Sequence, residues 1–314
     1  MSGCGGEDLR KAHFERTTVP VEPGDSGQEP IPGEPPDEPA LAPAELRTVD
    51  TCQLVGEEQL GELGSVGEPS GPLGLPDELG IGECSVTVTD PGGKEANVRL
   101  RLDEQINDSL NQVTGGVEGL PLIESTLEDD TCFVTAITSQ EPKLGIRASV
   151  QYQGGEPCRA GNTAVAGAVR TILDDPPRLD TPHGSLRTVD PCDGVDDDVA
   201  RGVLDEDDAE GELATIFRCQ WRGSSEYVSV SYRFGRPTVS TEDTRETELG
   251  EDTVALVSPQ VDRCSVQWEH RSIEEEHAEL VEVSVTDSEA ESTDAACESA
   301  TEVAEAVAPE LPTA

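Results

Sequence analysis

The chain predicts an α+β fold of two tandem α-β-β-β-β-α modules, each an antiparallel sheet with helices stapled on by disulfides. Three observations carry that expectation. The pentapeptide Leu46-Arg47-Thr48-Val49-Asp50 recurs unchanged at Leu186-Arg187-Thr188-Val189-Asp190. Four cysteines then recur in order at nearly constant offset, Cys52 with Cys192, Cys84 with Cys219, Cys132 with Cys264 and Cys158 with Cys297. Each last cysteine precedes an apolar stripe at matching offsets, Ala164, Val165, Ala168, Val169 and Ile172 in one copy, Val303, Ala304, Val307, Ala308 and Leu311 in the other. That spacing is one face of a helix. A length of 314 residues suits two domains and a tail.

Residues 1–45 read as a tail and tether. Pro, Glu and Gly dominate between Val19 and Pro43, a composition that buries no core and favours extended, polyproline-like chain. At ~3 Å per residue, such a segment of roughly 25 residues reaches up to about 75 Å. Module one is expected over 46–175, a hinge over 176–185 and module two over 186–314. Asp50 and Asp190 suit helix caps and Pro191 a first turn, so helices are expected over 53–63 and 194–204. A cysteine-led strand follows in each copy, with Cys84, Val86 and Val88 on one face, then Cys219 and Trp221. Partner strands continue through Val98, Leu100 and Leu102, and through 227–234. After a polar loop the scheme repeats, with Cys132, Val134 and Ala136 beside Ile146, Ala148 and Val150. Its counterpart is Cys264, Val266 and Trp268 beside Val281, Val283 and Val285. Alternation of this kind marks half-buried antiparallel strands.

Four cysteines allow three pairings per module. The pairing that joins each helix to its nearer hairpin is Cys52–Cys84, Cys132–Cys158, Cys192–Cys219 and Cys264–Cys297. Hydrophobic content is 34% and aromatic content 3%, a lean core that cross-links would support. A bridge closing about 30 residues stabilises by ~3–4 kcal/mol in the chain-entropy model. Such a framework implies an oxidising compartment. Zinc would want close cysteine pairs, and these cysteines are widely spaced.

The formal net charge of −45 excludes a conventional nucleic-acid binder, because no basic stripe exists to displace counterions. It also argues against adhesion to anionic lipid by charge alone. Lys11, Lys94 and Lys143 are the only lysines. An acidic, lysine-poor surface stays soluble at high salt, and codon bias explains the arginine preference equally well. No apolar run approaches the ~20 residues of a spanning helix.

Cys4 stands outside the repeat. Met1-Ser2-Gly3-Cys4-Gly5-Gly6 is similar to the end of a bacterial lipobox, whose cysteine receives diacylglycerol. On that reading Met1 is an internal start and the signal segment lies upstream. The competing reading is a stray thiol in an irregular N-terminus.

The Thr-Val-Asp-Pro-Cys opening at 188–192, the cysteine-led strands and a last helix with Cys297, Ala300 and Ala304 resemble exported lipoproteins and secreted domains of unknown function in actinobacteria. More distantly they resemble the cysteine-stapled extracellular sensor domains of receptor Ser/Thr kinases. The resemblance covers 46–311 and implies a module outside the membrane with a binding or sensing role. It supplies no catalytic residues, and the chain departs from a receptor in showing neither kinase domain nor spanning helix.

Candidate chemistry is sparse. Gly24-Asp25-Ser26-Gly27 matches a protease nucleophile loop but lies in the tether, with no His or Asp partner framing it. His13, His183, His270 and His277 are scattered. The acidic run 205–212 is the best metal candidate, yet Ala209 takes the fifth position and Gly211 the seventh of an EF-hand register; a solvated loop is the competing reading. Trp221 and Trp268 share strand parity with their cysteines, which points to packing beside a disulfide or, alternatively, to an aromatic ligand platform. The expected function is therefore non-enzymatic, with no cofactor or metal. It is that of a lipoprotein held to the plasma membrane by a lipid anchor at Cys4, with duplicated domains binding an unknown envelope ligand or protein. The alternative is a cell-envelope enzyme or protease accessory factor with a site at the cleft between modules.

Overall fold

The alternating apolar residues after each cysteine become strands in a computed structural model that describes residues 35, 37–71, 82–106, 112–250, 253–274, 277–287 and 293–314. The first sheet holds β1 (Ser65–Val66), β2 (Glu83–Thr89), β3 (Glu95–Gln105), β4 (Gly115–Val117), β5 (Leu120–Glu128), β6 (Thr131–Gln140) and β7 (Lys143–Tyr152). Their spatial order is β1-β2-β3-β7-β6-β5-β4, all antiparallel. The second holds β8 (Glu212–Thr215), β9 (Arg218–Arg222), β10 (Glu226–Gly235), β11 (Arg245–Glu248), β12 (Val254–Pro259), β13 (Arg263–Glu274) and β14 (His277–Asp287). Read from β8 inward, its order β8-β9-β10-β14-β13-β12-β11 repeats the first. In both, a hairpin is laid down first; the chain then crosses to the far edge and walks back as a meander.

The registers agree too. Across the first sheet Cys84 faces Leu100, which faces Ala148, which faces Val134. Across the second Cys219 faces Val230, then Val283, then Val266. A one-residue slip would move a whole apolar row to the other face, so matching rows mean matching cores.

The helices are α1 (Pro43–Leu46), α2 (Glu57–Leu60), α3 (Pro157–Asp174), α4 (Asp197–Leu204) and α5 (Thr293–Val307). The stripe expected after Cys158 lies buried on α3, and Val303, Ala304 and Val307 of the stripe after Cys297 lie buried on α5. These helices pack against β6–β7 and β13–β14. All four expected disulfides are present, with Cα–Cα separations of 5.1, 5.1, 5.0 and 4.9 Å in chain order. Where the chain crosses the Cys52–Cys84 bridge it uses Gly71, because a Cβ there would stand 1.9 Å from the Cys52 Sγ. Most buried apolar residues of both sheets belong to one contiguous cluster, while Ile106, Ile123 and Ile137 form a smaller separate one.

The architecture is α+β as expected, but among the described residues each sheet has seven strands instead of four. The loops read as polar carry β4, β5, β11 and β12. Edge strand β11 is Arg-Glu-Thr-Glu, held by its backbone ladder and charged as edges commonly are, so it has no apolar alternation to read. The helix expected over 53–63 is broken. A 3-10 turn at Thr51–Val55 stops at Gly56, whose extended backbone then caps α2. The helix expected over 194–204 starts later, at Asp197, because Asp196 caps it by accepting from the Asp198 amide at 3.0 Å. The last stripe also spans two elements, since Pro309 cannot extend α5, and Leu311 packs from beyond a 3-10 turn.

Two boundaries shift. Residues 39–46 fold rather than belong to the tether: Pro39 and Pro43 each start a helical turn, and Leu41 and Leu46 enter the core. Proline there presets the backbone and lacks only an amide the first turn leaves unbonded. The expected hinge 176–185 is also tied down. Asp50 donates its amide to the Pro177 carbonyl at 2.8 Å and Leu179 donates to Thr48 at 2.9 Å. Arg178 adds hydrogen bonds to Thr48 and to the Glu45 carboxylate, both at 2.6 Å.

Candidate functional site

The repeated pentapeptide builds the junction between the sheets. Arg47 and Arg187, equivalent in the two copies, are both buried at 4% exposure. Arg47 donates to Asp190 of the other copy at 3.1 Å and to the Ile216 carbonyl at 3.2 Å. Arg187 donates to the Arg47 carbonyl at 3.5 Å, and its guanidinium lies 3.9 Å from the centre of the Phe234 ring. Burial pulls the Arg187 pKa down to about 10, while the charges of Glu279 and Asp50 act against that fall. The group stays cationic at neutral pH. Asp50 and Asp190 meanwhile accept from the Cys52 and Cys192 amides at 3.1 and 3.0 Å. Each motif thus starts its own cysteine turn and reaches toward the other.

Glu279 on β14 anchors the second motif. Fully buried, it accepts from the Ser185 hydroxyl at 2.6 Å, the Leu186 amide at 2.8 Å and Arg271 at 2.5 Å. On the other side, Glu83 (1% exposed) pairs with Arg101 at 2.5 Å and Arg99 at 3.3 Å. Asp103, close to Arg101, shares a hydrogen bond with Thr215 of β8. Burial is the largest cause lifting the Asp103 pKa to about 7, with Glu83 and Glu104 adding to it and Arg101 and Thr215 opposing.

Beside this junction opens a cavity of about 780 Å³. Ile106 at the end of β3 and the β6–β7 turn with Lys143 form one wall; Asp190, Glu212 and Arg222 form the other. Among the described lining residues its two basic side chains, Lys143 and Arg222, come one from each sheet. Its volume falls in the range of small-ligand clefts, roughly 300–1,000 Å³. This is the place that the alternative reading assigned to a site.

No protein-family model matches the chain, and no curated protein matches it. Among solved structures, the crystal structure of MucB in complex with MucA(peri) aligns at 12% identity over 81% of this chain and 96% of that one. Its TM-score is 0.12, and a likeness of that size carries no argument.

The residues singled out from sequence go mostly to structural roles. Trp221 is fully buried, its indole N–H donating to Asp197 at 2.7 Å. Gly211 lies against the same ring, where a Cβ would stand 2.8 Å from it. Trp268 is 4% exposed. Neither ring offers an open face, so the platform reading is corrected: strand parity turned both into the core. The run 205–212 is divided between the left-handed cap of α4 at Asp205, a buried Ala209 whose carbonyl accepts from Arg201, and β8. Among the described residues one group has ligand atoms close enough to share an ion, Glu124 with Cys132 and Cys158; those two sulfurs are bonded to each other. His270 contacts the Gly184 carbonyl at 2.9 Å. Cys4, His13 and the Gly24–Gly27 loop lie outside the described residues. Arg47 and Arg187 were not picked out from sequence. The available signal was a charged residue kept identical between two copies that otherwise diverge.

Proposed function

We propose that this chain is a non-enzymatic, extracytoplasmic lipoprotein, tethered through Cys4, whose two copies of one module act together as a single binding body. The observation that carries the reading is the set of four disulfides, each fastening one terminal turn or helix of a module to its hairpin. Such bridges persist in oxidising compartments. Residues 39–175 form one copy and 186–314 the other, and the matching strand orders support their descent from one module. The junction argues against two independently swinging domains, so avidity from separated copies is set aside in favour of a surface that both copies build.

The lipid supplies the anchor. An acyl chain contributes ~0.8 kcal/mol per buried methylene, while the acidic modules are screened from headgroups beyond a Debye length of about 8 Å. The test is fractionation of cells expressing the gene with its upstream region. The parent should stay with membranes, and Cys4→Ala should be soluble or uncleaved. Equal membrane retention of both, or an upstream region encoding no apolar segment, would return Cys4 to a stray thiol.

A further inference from the structure

We infer that the cavity between the two copies is a binding site for a short peptide with free termini. This rests on the binding-protein reading above and names the ligand class. The cavity has charge of both signs, supplied from both copies. Among the described lining residues, Lys143 at the start of β7 and Arg222 at the end of β9 are the basic side chains. Among the described residues neither makes an ion pair; Arg222 donates to Gln220 at 3.2 Å and to no carboxylate. Acids outnumber bases by 66 to 21 in this chain, and most described arginines have found a carboxylate. Two cations left without one around a shared cavity are placed to receive a carboxylate from outside.

The opposite charge is present as well. Asp193, Glu141 and Glu212 line the same space, which suits an ammonium group on the same ligand. A small anion such as phosphate would meet those carboxylates as repulsion, whereas a zwitterion satisfies both sets. Peptide chemistry follows from the rest of the lining. Gln105 and Gln140 offer amides that both donate and accept. Ile106, Pro142 and Leu213 supply apolar contact for small side chains. Strand β8 lines the cavity through Glu212 and Leu213; among the described residues β9 is its one sheet neighbour, with β3 and β7 packed nearby. An edge of that kind takes up an extended peptide through main-chain hydrogen bonds.

The structure also supplies a reporter. Gly211 lines the cavity and is pressed against the Trp221 ring, so occupancy should perturb tryptophan emission. The experiment titrates tri-alanine, its C-terminal amide and its N-acetyl derivative into the purified disulfide-bonded chain, followed by fluorescence and calorimetry, with mass spectrometry of the recovered peptide. Tri-alanine should bind saturably, with each blocked derivative at least tenfold weaker. Lys143→Gln with Arg222→Gln should erase the preference for the free carboxylate while leaving the melting curve unchanged, since neither side chain makes an ion pair. A carboxylate preference that survives in that double variant would overturn the site, as would equal affinity for acid and amide, or no saturable binding of tri-alanine. Recovery of hydrolysed tri-alanine would keep the site and overturn the non-enzymatic reading instead.

Discussion

Asp103 shows how one side chain couples the junction to pH. Its side chain is 12% exposed, and its folded pKa of about 7 lies above the ordinary 3.8. The folded chain therefore holds a proton that the unfolded chain gives up at lower pH. This contribution is complete below about pH 4 and is lost as pH rises through about 7. Asp103→Asn keeps the shape and cannot ionise. Its stability relative to the parent should grow between about pH 4 and about pH 7 and then level off, with a ceiling of ~4 kcal/mol for about three pKa units, read from urea midpoints. Parallel pH profiles would show that Asp103 ionises normally. Arg47 acts through pairing: Arg47→Ala removes the partner of Asp190 and empties a buried site, and a cost of ~3 kcal/mol is expected. A double-mutant cycle with Asp190→Ala should recover a coupling above about 1 kcal/mol, and additive losses would leave the contact without energetic weight.

At the scale of elements, the staples hold short pieces to the sheets. α2 has four residues and the turn before it five, too short to persist alone. Replacing Cys52 and Cys84 together by alanine should cost ~3–4 kcal/mol, and the loss should appear first as faster amide exchange in 51–60. Uniform loosening of both sheets would mean the bridge does not serve that segment in particular. The pairing itself is checked by peptide mapping without reductant, and by the single reactive thiol expected when unlipidated chain is denatured. That thiol belongs to Cys4. These elements were readable from sequence where burial imposed a period, as on β2, β6, α3 and α5. They were not readable where the backbone ladder alone does the holding, as on β11, or where glycine interrupts a helix, as at Gly56.

For the whole molecule, the continuous core and the paired arginines predict one cooperative unfolding transition. Calorimetry should give a single peak, and Arg47→Ala with Arg187→Ala should split it into two as each sheet melts with its own bridges intact. Two well-separated peaks in the parent would mean the copies unfold independently and the junction is weak. Domains joined by small polar contacts commonly behave that way, which makes the measurement decisive.

What the sequence by itself determined is the framework: two copies, the order of four cysteines in each, the buried face of each main strand and the final helices. These are local in origin, because periodicity and cysteine order report burial within one module. The sequence left three pairings open in each module, and the structure shows the one that joins each helix or turn to its nearer hairpin. What only the tertiary structure decided is the meaning of the repeated pentapeptide and the location of the site. Arg47 meets Asp190 across 143 positions of chain, a contact whose residues the repeated motif names but which it does not itself disclose. Lys143 shares a cavity with Arg222, and no period or motif links that pair. The two tryptophans make the same point in reverse. Their strand parity gave their direction correctly, but Trp221 was closed off by Asp197 and Gly211, from an adjoining helix and loop. Contacts between elements are set by how finished sheets pack, and a single sequence records that packing only where both sides happen to repeat.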